Sequence, residues 1–418
     1  MNSPAPESVD YAVVLTRSDI DRFEHNKMFA REIVAAFEAA GVILRPMDYI
    51  ADPRRVFAAM RDRACKFFMC FNGFGSELQF PTALPGQLLS AYTAFDKPVF
   101  DFMHDCPAHE TMQHQLRSTF PQRVLLITDY GYANLATQLG FPNVLYVPSI
   151  TFPDTLPSVK LIKGRRFDVL LPISLPHPQL FADRHLIEGG YKSKLYRCLF
   201  HDVAEKTSSD WRLDPIAELV SACREIGIML DWTDSDDRFL LTTLMDYTKF
   251  ARRKRLVEAL SHLPVTVMTD RKVDMVSEDS QLEFIESRSA SGLLSLMADS
   301  RCVLCPTPHM TGFHERVLGA FTAGAAVVSS PNKVLEAAFV HGRDILFFRD
   351  EADAAGLVEA LLNDDERLQF IAHNARARAS SMFPPERLVE TILSLLAIQR
   401  HRRDLIHEAD PLQSNRKA

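Results

Sequence analysis

Short runs that are apolar throughout alternate along the chain with stretches of helical period. From Tyr11 the order is YAVVLT, then REIVAAFEAAG at helical spacing, then VILRPMDYI, a second helical stretch through RRVFAAMRDR, and KFFMCFNG. Strands that are apolar on both sides belong in a parallel sheet covered by helices on each face, so the order predicts βαβαβ. PVFDFM, RVLLITD and NVLYVPS add three more strands, with Gly41 as a helix stop and Pro98 at a strand entry.

A second series of the same kind follows the connector VPSITFPDTLPSVK. Its strands are FDVLLPIS, VTVMTD, RCVLCPTP, AVVSS and ILFFRD, and its helices include HERVLGAFTAGA and AAGLVEALLN. The expected fold class is therefore α/β, with two Rossmann-like parallel-sheet domains over residues 1–158 and 159–418, joined near 148–160. HLIEGGYKSKLYRCLFHDVAEK, DPIAELVSACREIGIMLDW and RFLLTTLMDYTKF read as helices with no strand between them, which marks a helical insertion over about 175–249. The last helix is open to returning to the first domain. Open parallel sheets bind ligands beyond the carboxyl ends of their strands, where the strand order reverses, so two facing domains enclose a cleft for two substrates.

Composition narrows the partners. A chain of 418 residues, 47% apolar and 24% charged, is globular and longer than one core usually serves. A formal charge of -7 leaves no broad basic surface for a nucleic-acid backbone, and the run Arg252, Arg253, Lys254, Arg255 reads as a solvated helix face. The polar start MNSPAPESVD lacks a signal-peptide pattern, and no apolar stretch approaches the roughly 20 residues of a membrane span, so a cytoplasmic location with no transmembrane segment is expected. Seven cysteines, most of them in apolar runs, suit a reducing compartment. Cys302 and Cys305 have zinc-like spacing, but three apart on a strand they face opposite sides and read as core.

The chemistry concentrates in PTPHMTGFHERVLGAFTAGAAVVSSPNK, residues 306–333. A strand end there meets a loop with Thr311 and Gly312, then a helix whose first amides suit an anion such as a diphosphate. Phe313 is placed to stack on a base or sugar, and His314 and Arg316 to donate to phosphate oxygens. With Glu315, and with Asn332 and Lys333 at the end of the stretch, these form the candidate donor-binding set. On the facing domain His104 and Asp105 follow a strand and are candidate bases, the Asn72–Gly73 turn of NGFGSE offers a backbone approach to a sugar, and His25 is a third candidate base. No Asp-x-Asp stands at a strand end, since WTDSDDR reads as a turn between helices, so neither metal nor cofactor is expected. No G-x-G-x-x-G follows a strand, which disfavours a dinucleotide oxidoreductase.

The same residues carry a resemblance. Phe313, Glu315, Arg316, Val317, Ala323, Gly324 and Ala325 fit the F-x-E-R-V and A-x-x-A-G-A series of GT-B glycosyltransferases, in particular the branch resembling the spore-maturation protein CgeB. DKPVFDFMHDCP, VLLITDYGYANLATQLGFPNVLYVPSITFP, FDVLLPIS, RRKRLVEALSHLPVTVMTD and the closing GRDILFFRDEADAAGLVEALLNDDERLQFIAHNARARA extend it over most of the chain. It departs at Gly319, where relatives often carry a ribose-holding glutamate, and at Pro172 and Ile173, where they carry a glycine turn. The resemblance implies a glycosyltransferase moving sugar from a nucleotide-sugar donor to a glycan, lipid-linked or protein acceptor. The alternatives are a nucleotide-sugar epimerase and a non-catalytic partner of the same fold.

Overall fold

The computed structural model describes residues 9–19, 21, 23–82, 87–115, 120–156, 159–187, 191–270, 280–307 and 311–409. The polar start, the loop just before Thr311 and the tail beyond Ala409 lie outside the described residues. In the first half the elements are β1 (Tyr11–Thr16), α1 (His25–Ala39), β2 (Ile43–Asp48), α2 (Pro53–Arg61), β3 (Cys65–Phe71), β4 (Gln79–Pro81), β5 (Leu88–Ser90), α3 (Ala91–Ala94), β6 (Val99–Met103), α4 (Glu110–Gln115), β7 (Arg123–Ile127), α5 (Tyr130–Gln138) and β8 (Val144–Tyr146). The second half has β9 (Phe167–Pro172), α6 (Gln179–Ile187), α7 (Tyr191–Ser209), α8 (Pro215–Glu225), α9 (Ser235–Ala259), β10 (Val265–Thr269), β11 (Glu283–Glu286), α10 (Ala290–Ala298), β12 (Ser300–Cys305), α11 (Glu315–Thr322), β13 (Ala326–Ser329), α12 (Lys333–Ala338), β14 (Leu346–Phe347), α13 (Glu351–Leu362), α14 (Asp365–Met382) and α15 (Pro385–Ala409).

Two six-stranded parallel sheets result, ordered β2-β1-β3-β6-β7-β8 and β11-β10-β9-β12-β13-β14. In the second sheet the chain leaves β9 for β10 on one side, and β12 lies on the other, so the order reverses at the carboxyl end of β9. The doubly apolar strands behave as their pattern requires. Val124 and Leu126 of β7 enter one core while Leu125 and Ile127 enter another. Cys302 and Cys305 likewise go to different cores, on opposite faces of β12. Helix starts are fixed by aspartates: Asp52, Asp129, Asp214, Asp234, Asp350 and Asp364 each accept from a first-turn amide.

The helical stretch joins the two halves. Leu240, Leu241 and Leu244 of α9 pack with Leu125, Ile127 and Leu135 of the first sheet layer, whereas Leu256 and Val257 of the same helix and its C-cap Leu260 pack with Val169 and Leu171 of the second. Helix α9 therefore runs unbroken past Lys249, ten residues beyond the expected end of the insertion. This overturns the reading of the basic run as a solvated face. Arg252 and Arg253 are buried; Arg252 donates to the carbonyls of Thr207, Asp210 and Leu213, and Arg255 pairs with Glu351 at 3.0 Å. The connector is pinned as well, by Glu32 of α1, which accepts from the amides of Asp154 and Thr155, and by Thr151, which donates to the Phe383 carbonyl. Helix α15 returns to pack on α1.

Beneath the Asn72–Gly73 turn lies a buried ion pair. Asp101 is fully buried, bonds the Arg123 guanidinium at 2.5 and 3.1 Å, and accepts from the Gly73 amide at 2.9 Å. Asp101→Ala would remove the buried carboxylate paired with Arg123 and is expected to cost about 3–5 kcal/mol in urea unfolding. A loss under about 1 kcal/mol would show that the pair does not support the turn.

Candidate functional site

At the reversal point of the second sheet, two guanidinium groups hang on the end of β9. Arg316 Nη1 donates to the Pro172 carbonyl at 3.0 Å, and Arg253 Nη1 donates to the carbonyl and hydroxyl of Ser174 at 3.2 and 3.1 Å. Both line a cavity of about 300 Å³ between the sheets. Arg253 is 3% exposed and its Nε–H has no hydrogen-bond partner among the described residues, an orphaned donor in a buried cation. Burial pushes its pKa down to about 9, Arg316 nearby pushes the same way, and Asp246 opposes them. Two like charges held together with a spare N–H make a site that an anion would relieve.

Three more charged groups enter the cavity beside them. Asp246 and Lys249 come from α9 and pair at 2.5 Å, and His109, just before α4, brings Nε2 to 3.6 Å from Asp246 Oδ2. Burial alone would raise the Asp246 carboxyl, but His109 and Lys249 hold it down at about 2. Lys249 is lowered by burial, against the pull of Asp246. Sequence reasoning missed Arg253, Asp246, Lys249 and His109. The signal for the first was the basic run. The other three carry no motif, because only the tertiary fold brings α9 to the His109 loop.

The first domain supplies His104 and Asp105 to the same cavity, as their strand-end position predicts. Asn72 holds both: its Oδ1 accepts from the His104 amide at 3.1 Å and its Nδ2 donates to Asp105 at 3.0 Å. The His104 ring sits between Phe29 and Phe102, with centroids 4.4 and 4.7 Å away, whereas Asp105 is exposed. Gly73 does not offer its amide to a sugar, since Asp101 takes it. His25 does not line this cavity; it opens α1 within electrostatic reach of Glu315.

Several expected donor-binding residues do other work. Gly312 forms a bridge with Asp129, and a Cβ there would lie 2.4 Å from the Thr128 carbonyl, so the glycine admits the first domain's backbone and not an anion. The Thr311 hydroxyl donates to Asp129 and accepts from the Gly131 amide, and the Phe313 amide donates to the Thr128 carbonyl. Phe313 is 2% exposed and packs on Phe383 at 4.5 Å, which removes it as a stacking platform. Asn332 is a buried cap of α12 that also donates to the Gly312 carbonyl, and Lys333 is exposed near Asp214, away from the cavity.

His314 and Arg316 do line the cavity. His314 Nδ1 is 3.2 Å from the Arg316 amide and 2.9 Å from Glu315 Oε2, and one nitrogen cannot serve both. Unprotonated it caps α11; protonated it donates to Glu315. Burial would raise the Glu315 carboxyl, yet His314, Arg316 and His25 hold it well below the usual range. Gly319 faces Leu294, whose Cδ2 would lie 2.8 Å from a Cβ, so α10 leaves no room for a side chain at this position.

Residues 252–394 match the family described as glycosyl transferase-like. The structure of T4 phage BGT in complex with its UDP-glucose substrate superposes with a TM-score of 0.51 at 8% identity, over 93% of this chain and 99% of that one. HepE of Anabaena with UDP-glucose gives 0.46 at 11% identity over 92% and 99%, and SnogD of Streptomyces nogalater gives 0.37 at 13% over 93% and 100%. No curated protein matches the chain. The superposition on the T4 phage protein shows a shared two-sheet fold, and the glycosyl transferase-like match covers the segment from Arg252 to Ser394. Among the described residues no helix is long and apolar enough to cross a membrane, and no group of three His, Cys, Asp or Glu is placed to hold a metal.

The Asp246 pairing has a stability signature. A carboxyl with a depressed folded-state pKa contributes stability above its unfolded value of 3.8, and loses it as pH falls through about 2. Between those values the unfolded chain binds more protons. Wild-type protein is therefore expected to lose on the order of 2 kcal/mol more than Asp246→Asn between pH 6 and pH 2 in urea titrations. Parallel curves would show that Asp246 is not held ionised by His109 and Lys249.

Proposed function

We propose that the protein transfers a sugar from a nucleoside-diphosphate sugar, its diphosphate held by Arg253 and Arg316, to a hydroxyl of a glycan, lipid-linked or protein acceptor entering along the first-domain wall at Asp105. The observation that carries this reading is the pair of guanidinium groups at the reversal point of the second sheet, one of them with an unused N–H. Transfer breaks the bond between the anomeric carbon and a phosphate oxygen, so charge develops on the diphosphate, and fixed cations aimed at that charge lower the barrier. They are already in place before the donor arrives and need no reorganisation. Side chains supply this positive charge, so the donor is a substrate and no cofactor enters the reading.

Asp105 stands on the other side of the same cavity, turned by Asn72, where an acceptor hydroxyl would be met. Domains that enclose the donor bring the two reactants together and limit attack by bulk water.

A charge-assisted hydrogen bond contributes roughly 1.5–3 kcal/mol, so Arg316→Ala is expected to weaken binding of UDP at least ten-fold by calorimetric titration. Arg253→Lys keeps the charge but cannot bond Ser174 and the anion together, and is expected to weaken it by a similar factor. UDP-glucose, named as the substrate of the T4 phage protein, is the first donor to try for slow hydrolysis by wild type. Equal affinities in all three proteins would place the donor elsewhere.

A further inference from the structure

Glycosyl transfer with inversion needs a group that takes the acceptor's proton, and the first domain offers more than the strand-end pair. We propose that His109, oriented by Asp246, is that base, so that α9 supplies both one arm of the diphosphate clamp and the partner of the base. This deepens the proposed function and rests on it.

His109 Nε2 faces Asp246 Oδ2 at 3.6 Å, and the carboxylate favours the tautomer with the ring's proton on Nε2. The separation is longer than a finished hydrogen bond, as is common before substrate closes a site. With the proton on Nε2, Nδ1 accepts from the Thr111 hydroxyl at 2.9 Å, and an acceptor hydroxyl takes the place of that bond. His109 and Thr111 line the cavity of Arg253 and Arg316, and the His109 side chain is 42% exposed, so an acceptor hydroxyl can reach that nitrogen. The arrangement repeats the logic of an imidazole faced by a carboxylate on one nitrogen and accepting from a hydroxyl on the other. His104 differs, since its ring is enclosed by Phe29 and Phe102.

In the step, the acceptor oxygen bonds to the anomeric carbon as the bond from that carbon to the diphosphate oxygen breaks. The bonding pair leaves on the diphosphate, which meets Arg253 and Arg316. The acceptor's proton passes to His109 Nδ1, and the resulting imidazolium is paired by Asp246. Configuration at the anomeric carbon inverts. Besides Asp246, the charged groups around His109 are Lys249 on α9, Asp105 on the strand-end loop, Glu110 on its own element, and Arg253, His314 and Arg316 across the cavity.

The test uses full-length protein and UDP-glucose, with water as acceptor, following release of UDP across pH 5 to 9. His109→Gln is expected to lower kcat about 100-fold or more, to abolish the acid limb of kcat/KM, and to leave UDP affinity within two-fold. Asp246→Asn is expected to shift that limb to lower pH, because a neighbouring carboxylate stabilises the imidazolium. The product sugar is expected to be the inverted anomer by proton NMR. Full turnover in His109→Gln, an unmoved acid limb, or a retained anomer would each overturn the assignment. A wild type that binds no UDP and hydrolyses no donor would instead overturn the reading of the cleft itself.

Discussion

The cavity exists because one helix is buried in two cores. Helix α9 places Leu240, Leu241 and Leu244 in the first sheet layer and Leu256, Val257 and its C-cap Leu260 in the second. Each buried leucine contributes roughly 1.5–3 kcal/mol, so neither end can be withdrawn without a large loss. The distance between the two sheets is then set by a rod with a fixed rise of about 1.5 Å per residue. Thr242, Asp246, Lys249 and Arg253 recur at helical spacing between the two buried ends, and all four line the cavity. Removing water from both ends of α9 is what turns these side chains toward the space between the sheets.

A second tie acts at the opposite wall. The Thr311 and Gly312 backbone pairs with Asp129, and Asp129 both caps α5 and receives the Thr311 hydroxyl. A single aspartate thus serves a helix start in one domain and a loop in the other, and only glycine at 312 lets the backbones meet. Together with Glu32 on the connector and α15 on α1, this gives the two sheets several independent links. Such a junction favours a cleft shaped in advance, with cations positioned before a ligand arrives.

What was legible in the sequence follows from how local each signal is. Strand identity depends on a side chain's own polarity, and the two sheets, the connector and the helical stretch were all readable from short windows. Short pieces with few apolar residues were not: the β4–β5 hairpin, α3 and the half-exposed β11 carry too weak a period to announce themselves. At the site, His104, Asp105, His314 and Arg316 were visible because strand ends and helix starts in a doubly wound fold point to the cleft. Asp246, Lys249 and His109 were invisible because their roles depend on where a long helix crosses a neighbouring domain. Arg253 was visible as a charge and misread, since a run of cations on a helix is solvated unless carbonyls are waiting for it, as Ser174 is here.

The residues around the arginine pair are fixed by packing. A Cβ at Gly319 would meet Leu294, and Phe313 lies in the core against Phe383. Pro172 ends β9. Proline has no N–H to give, but its carbonyl is free to fix Arg316, and the Ser174 carbonyl two residues on fixes Arg253. The two guanidinium groups are thus anchored on backbone carbonyls at the reversal point of the sheet, while the segment Thr311–Phe313 holds the two domains together.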